Sequence, residues 1–492
     1  MQTRTRRVTR WMILSATLLA PALLTPPTAQ GSSARLEPGP ASTTMADLLL
    51  AGVADLPTLA EIAGVDDTEL AAGATRRLRA AGPAGLAAFI ARHRATIARA
   101  NDMSPRTAAE TAPILAALDQ ICGQRDCAPA QLYWYTDLEQ AKAAAQASGR
   151  PIVSLRLLGD LRDELSCANS RFFRALLYPD PAVSAALQSG FVLHWHSERP
   201  APKITIDLGD GRRVETTITG NSAHLVLDSS GRPVDVLPGL TSPTQFLADL
   251  GRAGALARAT AEQTGTARAD ALRRHHGERR DALERAWNDT LVAVGQPPRP
   301  LPGQSSRRPE ALAQPLPSAP RLEILAAQNP APAAPRAGQA AMLAISKSSA
   351  EVPMLRIFGE PVEPLSEPAL WALLADRRAP ELVLCAASLA LIARQQWRSG
   401  DLQQDANNQA LALAGLRRSV ALDGLYNEFA LHSQIHTWFT EHDTAGLDAA
   451  TLSLTVYRDL FLTPRSDPWL GLAAPSVYSG LVGGGRSQEA RI

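Results

Sequence analysis

The spacing of apolar residues changes twice along this 492-residue chain, and these changes restrict the possible folds more than any single motif does. Over residues 45–130 and again over 349–480, apolar side chains recur at helical spacing. Between these stretches, residues 131–255 alternate helical patterns with short β-rich runs. We therefore predict an α+β multidomain protein, in which a central α/β domain is flanked by an N-terminal and a C-terminal helical domain.

Two further segments separate the central domain from the C-terminal one. Residues 256–292 are rich in Ala and in charged side chains, which predicts a charged helix. Residues 293–348 are dense in Pro and Ala and show little apolar periodicity, which is typical of a linker.

Residues 1–34 have the layout of a secretory signal peptide. Four arginines lie within the first ten residues, an apolar run over residues 11–24 follows, and small residues close the segment. The apolar run is too short to remain in a bilayer as a spanning helix. We expect an exported protein, periplasmic or extracellular, without stable membrane insertion. The adjacent Arg6 and Arg7 leave the general secretory and the twin-arginine routes both open.

The overall charge argues against one class of partner. Lys and Arg total 49 against 48 Asp and Glu, which gives a net charge of +1. Such a balance provides no field that would attract nucleic acid or an acidic membrane surface. We therefore expect no nucleic-acid partner.

Export into an oxidising compartment makes the four cysteines informative. Cys122 and Cys127 are separated by Gly and polar residues that allow the chain to turn back, which predicts a local disulfide worth about 2 kcal/mol. A metal site is the weaker interpretation, because the pair has neither CxxC spacing nor a nearby His. Cys385 lies in an apolar run of helical pattern and is predicted to be a buried, inert thiol.

Several short motifs follow one another within residues 131–253. They are Gly149-Arg150-Pro151 before an apolar strand, Pro181-Ala182-Val183, the strand and turn Leu225-Val226-Leu227-Asp228-Ser229-Ser230-Gly231, and Pro238-Gly239. In this order the motifs resemble those of secreted thioredoxin-like domains. The resemblance covers about a quarter of the chain. It implies a thioredoxin-like fold for the central domain and activity on thiols or disulfides.

In thioredoxin-like domains the active site is a CxxC motif where a strand passes into a helix, and the resemblance places its two cysteines at Cys167 and Ser170. The motif is thus CxxS. A Cys at a helix start is favoured as a thiolate, which is the nucleophile of thiol–disulfide exchange. Without a second thiol, Cys167 would form and release mixed disulfides as a monothiol, with Asn169 and Ser170 hydrogen-bonded to its sulfur. If the protein is an enzyme, the resemblance implies monothiol exchange or isomerase activity on a protein or small-thiol partner, without a cofactor.

The chain also differs from the thioredoxin-like pattern at two positions, and both differences favour another function. The second Cys of the motif is missing, and Ser222 stands where these domains usually have the cis-proline that faces the active-site Cys. Both departures favour a binding or scaffold protein that has kept the fold without the chemistry, because fold does not determine function.

Histidines suggest a third class of function, metal binding. His194 and His196 alternate on a predicted strand and share one face, where Cys167 or His224 would complete a site. Glu428, His432 and His436 are spaced i, i+4, i+8 and share one ridge of a predicted helix. Structural histidines are the commoner outcome in both places, and His432 lacks the Glu that a HExxH zinc-protease motif requires beside it.

Overall fold

The computed structural model describes residues 55–65, 68–100, 105–217, 220–302, 367–398 and 406–465, together with Leu50 and Gly52. The predicted signal peptide, residues 1–34, and the part of the predicted linker over residues 303–348 lie outside the described residues. The described chain is a mixed α/β structure with a five-stranded sheet. No helix within it is both long enough and apolar enough to cross a membrane.

Four helices make up the N-terminal part of the described chain. They are α1 (Leu56–Ala63), α2 (Glu69–Ala80), α3 (Pro83–Ala98) and α4 (Pro105–Cys122). The Asp55 and Thr68 side chains cap the first two by accepting hydrogen bonds from the backbone N–H of the third helical residue, at 3.0 and 3.1 Å. Small and apolar side chains fill the space between these helices, as the abundance of Ala predicts.

The sheet begins after this helical part, and a separate hairpin is inserted between its third and fourth strands. The strands are β1 (Trp134–Tyr135), β2 (Ile152–Leu158), β3 (Val192–Arg199), β4 (Lys203–Asp207), β5 (Arg213–Thr217), β6 (Ala223–Leu227) and β7 (Pro233–Pro238). The strand order is β1-β3-β2-β6-β7, while β4 and β5 pair with each other. Strands β1, β2 and β3 are parallel, and β6 and β7 each run antiparallel to their preceding neighbour.

Helices connect the strands and continue beyond the sheet. They are α5 (Leu138–Ser148), α6 (Ala168–Phe172) with a π-helical turn (Phe173–Leu177), α7 (Pro181–Gly190), α8 (Pro243–Thr260), α9 (Gly265–Val292), α10 (Pro368–Arg378) with a 3₁₀ turn (Ala379–Glu381), α11 (Ala386–Arg398), α12 (Ala406–Tyr426) with a second π-helical turn (Asn427–His432), α13 (Ser433–Glu441), and α14 (Ala449–Thr455) with a third (Val456–Leu460).

The predicted boundary before the charged helix is misplaced. We predicted one helix over 256–292, but α8 continues to Thr260 and α9 begins at Gly265. The reason is the buried face of α8, which extends through Leu256 and Ala257. Apolar burial therefore continues the helix beyond the point where its composition turns polar.

The sheet and the C-terminal helices share one hydrophobic core. All seven residues of β2 are buried, as expected for a central strand covered on both faces. The same cluster of buried side chains includes Ile435 and Phe439 of α13 and Leu452 of α14. The last described helices therefore pack directly against the α/β part of the chain.

Candidate functional site

Cys167 lies at the carboxyl end of the central strand. Strand β2 ends at Leu158, a loop over residues 159–166 follows, and α6 begins at Ala168. The backbone N–H of Cys167 donates to the carbonyl of Leu158 at 3.0 Å, so the loop returns the chain to the end of the strand. This is the strand-to-helix position that the thioredoxin resemblance gives to the active-site Cys.

The sulfur of Cys167 lies between two serine hydroxyls. Its distances are 3.0 Å to Ser222 Oγ and 3.5 Å to Ser170 Oγ. Ser170 in turn donates to Ser166 Oγ at 2.7 Å, and Arg174 Nη2 donates to the same oxygen at 3.2 Å. A protonated thiol that donates to Ser170 and accepts from Ser222 has a partner in each role.

The sulfur of Cys167 does not cap the N-terminus of helix α6, where the sequence analysis expected the helix to favour its thiolate form. Cys167 is the N-cap residue, yet its side chain makes no capping hydrogen bond, because the thiol is directed to Ser222. The α-helix is five residues long before it passes into a π-helical turn. Asn169, which we expected beside the sulfur, donates from Nδ2 to Asn221 Oδ1.

Cys167 is sealed from solvent. Cys167, Ser170 and Ser222 are each 0% exposed. Tyr457, from the last π-helical turn, donates its hydroxyl to the carbonyl of Asn221 at 3.0 Å, next to Ser222. Burial raises the pKa of Tyr457 well above its ordinary value, and the neighbouring Cys167 adds to this. The C-terminal helices therefore cover the face on which the thiol lies.

Gly220 makes the close approach to Cys167 possible. Its φ is +104°, which L-residues with a side chain rarely adopt. A Cβ at this position would lie 2.7 Å from Leu158 Cδ1 and 3.3 Å from Cys167 Cβ. The chain can therefore pass over the thiol here because the residue has no side chain.

The other cysteines differ from each other in exposure. Cys122 and Cys127 are joined in a disulfide and are fully buried. Cys385 precedes α11 and is partly exposed, so the prediction that it lies buried within a helix is wrong. Its sulfur accepts a hydrogen bond from the backbone N–H of Ser388 at 3.4 Å. The thiol caps the helix instead of belonging to its apolar face.

The strand histidines do not gather as a metal site would. His194 is buried and bonded through Nδ1 to Ser154 Oγ at 2.8 Å, while His196 is exposed. His224 Nε2 bonds the hydroxyl of Tyr178 at 2.7 Å. Burial lowers the pKa of His194 and of His224 to about 3, so both rings are neutral near pH 7.

The predicted ridge of Glu428, His432 and His436 is broken by the second π-helical turn. In that turn the hydrogen bonds span five residues, which changes the direction of each side chain from its α-helical position. The Glu428 carboxylate accepts from Arg378 Nη2 at 3.0 Å. The ridge therefore does not bring Glu428 to the two histidines in the way that we predicted.

Asp235, a residue that the sequence analysis missed, takes the place of Glu428. One ring nitrogen each of His432 and His436 and a carboxylate oxygen of Asp235 all lie within 4.8 Å of one another. Among the described residues, these three side chains form the group whose atoms are close enough together to bind one metal ion. Asp235 lies on β7, so the cluster joins the edge of the sheet to helix α13.

Hydrogen bonds order the histidine cluster, and His276 of α9 belongs to it. His432 Nε2 lies 3.2 Å from Asp235 Oδ1. His436 Nδ1 lies 2.8 Å from His276 Nδ1, and His276 Nε2 lies 2.9 Å from the carbonyl oxygen of Val234. All four side chains are buried.

The electrostatics of this cluster separate His432 from its neighbours. Burial opposes the charged form of His432, but the Asp235 carboxylate outweighs this and raises the pKa of His432. Burial alone would raise the pKa of Asp235. The neighbouring rings of His432, His276 and His436 outweigh this and hold that pKa below its usual range. Burial lowers the pKa of His276 to about 4 and that of His436 well below its ordinary value.

A signal for Asp235 does exist in the sequence. It is a charged residue within the run Pro233–Pro238, and every residue of that strand is buried. A buried carboxylate requires a partner, so an acidic residue in an apolar strand indicates a cation or a donor nearby. Nothing local in the sequence shows that its partner, His432, lies 197 positions away.

Comparison of the chain with protein-family models, with curated proteins and with solved structures found no match to any of them. What each cluster can do is therefore inferred from its own geometry.

Proposed function

We propose that this chain is an exported thioredoxin-like protein that serves as a binding or scaffold protein, and that Cys167 is a sealed structural thiol. The observation that carries the proposal is the burial of Cys167 at 0% exposure, between two serines and beneath the helix that bears Tyr457. Exchange requires a thiolate sulfur to reach the sulfur of an incoming disulfide. In this arrangement the sulfur is out of reach.

The juxtaposition of Cys167 and Ser222 supports the thioredoxin-like part of the proposal. These residues are 55 positions apart in the chain, and their side-chain atoms are 3.0 Å apart. The resemblance assigns them to the active-site Cys and to the cis-proline position, which face each other in that family. The passage from a parallel central strand into a helix at Cys167 supports the same assignment.

The Cys122–Cys127 disulfide supports export. Disulfides form and persist in oxidising compartments and are rare in reducing ones. The assignment of residues 1–34 to a signal peptide remains a prediction from their sequence.

The β4–β5 hairpin supports the binding part of the proposal. It forms a two-stranded sheet of its own, with Leu208 and Val214 exposed at 50% and 47%. Within the described chain, neither strand pairs with the main sheet, so each offers an edge to an extended peptide.

Monothiol exchange is the alternative, and it requires α14 and the π-helical turn after it to move away from Cys167. Alkylation of the folded protein, followed by mass spectrometry at each Cys, separates the two functions. Cys385 is the internal reference because it is partly exposed in the same molecule. We expect Cys385 to react in the folded protein and Cys167 to react at least about a hundredfold more slowly, because Cys167 requires an opening of the structure. Reaction of Cys167 as fast as that of Cys385 would contradict the scaffold function and favour exchange.

A further inference from the structure

We propose that Asp235, His432 and His436 bind a divalent transition-metal cation, with Zn²⁺ the best match, where the edge of the sheet meets the C-terminal helices. Two imidazoles and one carboxylate form a donor set that zinc accepts. Their ligand atoms already lie within 4.8 Å of one another. This inference is independent of whether Cys167 reacts.

The distance between two of these ligands fits a metal ion. His432 Nε2 and Asp235 Oδ1 are 3.2 Å apart. In a tetrahedral zinc site with bonds of about 2.1 Å, two ligand atoms are about 3.4 Å apart. A cation would therefore replace the proton between His432 and Asp235, which is released to solvent on binding, with a small adjustment of either side chain.

The hydrogen bonds of His276 determine which nitrogen of His436 carries a lone pair. A backbone carbonyl can only accept, so His276 donates to Val234 through Nε2 and, in its neutral form, has a lone pair on Nδ1. His436 Nδ1 faces that lone pair at 2.8 Å and must donate to it. The lone pair of His436 is consequently on Nε2.

His436 Nε2 has no hydrogen-bond partner among the described residues, although the side chain is 1% exposed. A buried lone pair without a donor carries a free-energy cost unless a ligand uses it. His224 Nδ1 also lacks a partner among the described residues, but the ligand atoms that this part of the chain gathers lie around His436 and not around His224. The unpartnered nitrogen therefore belongs to one of the three residues whose ligand atoms are gathered.

His276 completes the site as a supporting residue. A metal-bound His commonly bonds a second group through its other ring nitrogen, which fixes the orientation of the ring. His436 has this arrangement with His276, and His276 is itself held by the backbone of β7. The cation would join β7 to α13, with α9 in support.

The test must supply metal while the chain folds, because the site is closed to solvent. The full-length protein is expressed with added ZnSO₄, purified without a histidine tag or chelator, and its zinc is measured by elemental mass spectrometry. We expect about one zinc ion per chain. The His436→Gln variant should retain about a tenth of this or less after equal dialysis. The control His442→Gln alters a partly exposed histidine outside the cluster and should retain the full content.

A second measurement covers the case in which His436→Gln fails to fold. The wild-type chain is unfolded and refolded with Zn²⁺, with Ca²⁺, or with a chelator. Zinc, but not calcium, should raise the melting temperature, since a ligand of the folded state alone stabilises that state. Wild-type protein that remains free of zinc after refolding with Zn²⁺ would overturn the proposal, because the cluster is then a buried ion pair only. Equal zinc contents in His436→Gln and His442→Gln would also overturn it.

Discussion

Two buried polar clusters lie beneath the C-terminal helices, and they differ in how their lone pairs are used. At Cys167 the sulfur lies between Ser222 and Ser170 and has a partner as donor and as acceptor. At His436 the Nε2 atom has no hydrogen-bond partner within the described chain, and a ring nitrogen of this residue lies within 4.8 Å of ligand atoms of two further residues. Burial alone therefore does not mark a reactive or binding group. An unused lone pair among other ligand atoms does indicate a place for a cation.

The clusters also differ in what they join. The Cys167 cluster connects the end of β2 to the residues before β6, and Tyr457 covers it from outside. The Asp235 cluster connects β7, α9 and α13, which belong to distant parts of the chain. Loss of the second cluster should therefore weaken the attachment of the helices more than a change at the first.

The largest expected effect comes from breaking the Asp235 cluster. Asp235→Asn should lower the free energy of unfolding by about 3–5 kcal/mol, because it removes one partner of a buried charged pair. Denaturant unfolding followed by circular dichroism measures this. Asp207→Asn, whose partner Arg213 is exposed, is the matched control and should cost within about 1 kcal/mol. Equal losses in the two variants would contradict the account.

The next effect tests the neutral histidine beside the Cys167 cluster. His224 has a pKa lowered to about 3 in the folded chain, against about 6.5 when unfolded. The unfolded state therefore binds the proton first as the pH falls, and stability is lost below about pH 6.5. Between pH 6.5 and 5 this group should cost about 2 kcal/mol.

His224→Gln should remove that share of the pH dependence. The measurement is the free energy of unfolding of both proteins at several pH values between 5 and 7. If the free energy of unfolding falls with pH at the same slope in both proteins, the His224 ring is not held neutral in the folded chain.

An effect of similar size is expected where the backbone passes Cys167. Gly220→Ala should cost about 3 kcal/mol, from left-handed strain and from overlap with the Leu158 side chain. Gly209→Ala has a similar φ of +78° with no atom within 4 Å, so it should cost about 1 kcal/mol. The difference between their melting temperatures isolates the packing over the thiol. Matching melting temperatures would mean that Gly220 is not closely packed there.

The smallest effect concerns the cover over the thiol. Tyr457→Phe removes the hydroxyl that donates to Asn221 and keeps the ring, so it should cost about 1 kcal/mol. The alkylation rate of Cys167 should rise by about fivefold if the helix opens together with the rest of the chain. A rise of several hundredfold would mean that Tyr457 acts as a local latch, which the scaffold function does not require.

Some of this arrangement could be predicted from local sequence and some could not. The order of motifs predicted that Cys167 lies near Ser170 and faces Ser222, and its sulfur lies 3.5 and 3.0 Å from their hydroxyl oxygens. The boundary between residues 255 and 256 was misplaced, because charged composition does not report that Leu256 is buried. The ridge at Glu428 was misplaced for a different reason, since a π-helical turn has no clear signature in side-chain spacing.

The Asp235 cluster shows most clearly what a single sequence cannot predict. Its histidines were identified as candidates, but their carboxylate partner lies on a strand far away in the sequence. Tertiary packing alone determines that pairing. A single sequence reports that a buried charge needs a partner, but not which residue supplies it.

The most direct test of the central claim is the alkylation rate of Cys167 measured across a series of urea concentrations. The rate yields a free energy of opening for the thiol, which is compared with the free energy of global unfolding from circular dichroism. If Cys167 is a sealed structural thiol, the two free energies agree and fall with the same slope in urea. An opening free energy far below that of unfolding, independent of urea, would contradict the account and assign Cys167 to exchange chemistry.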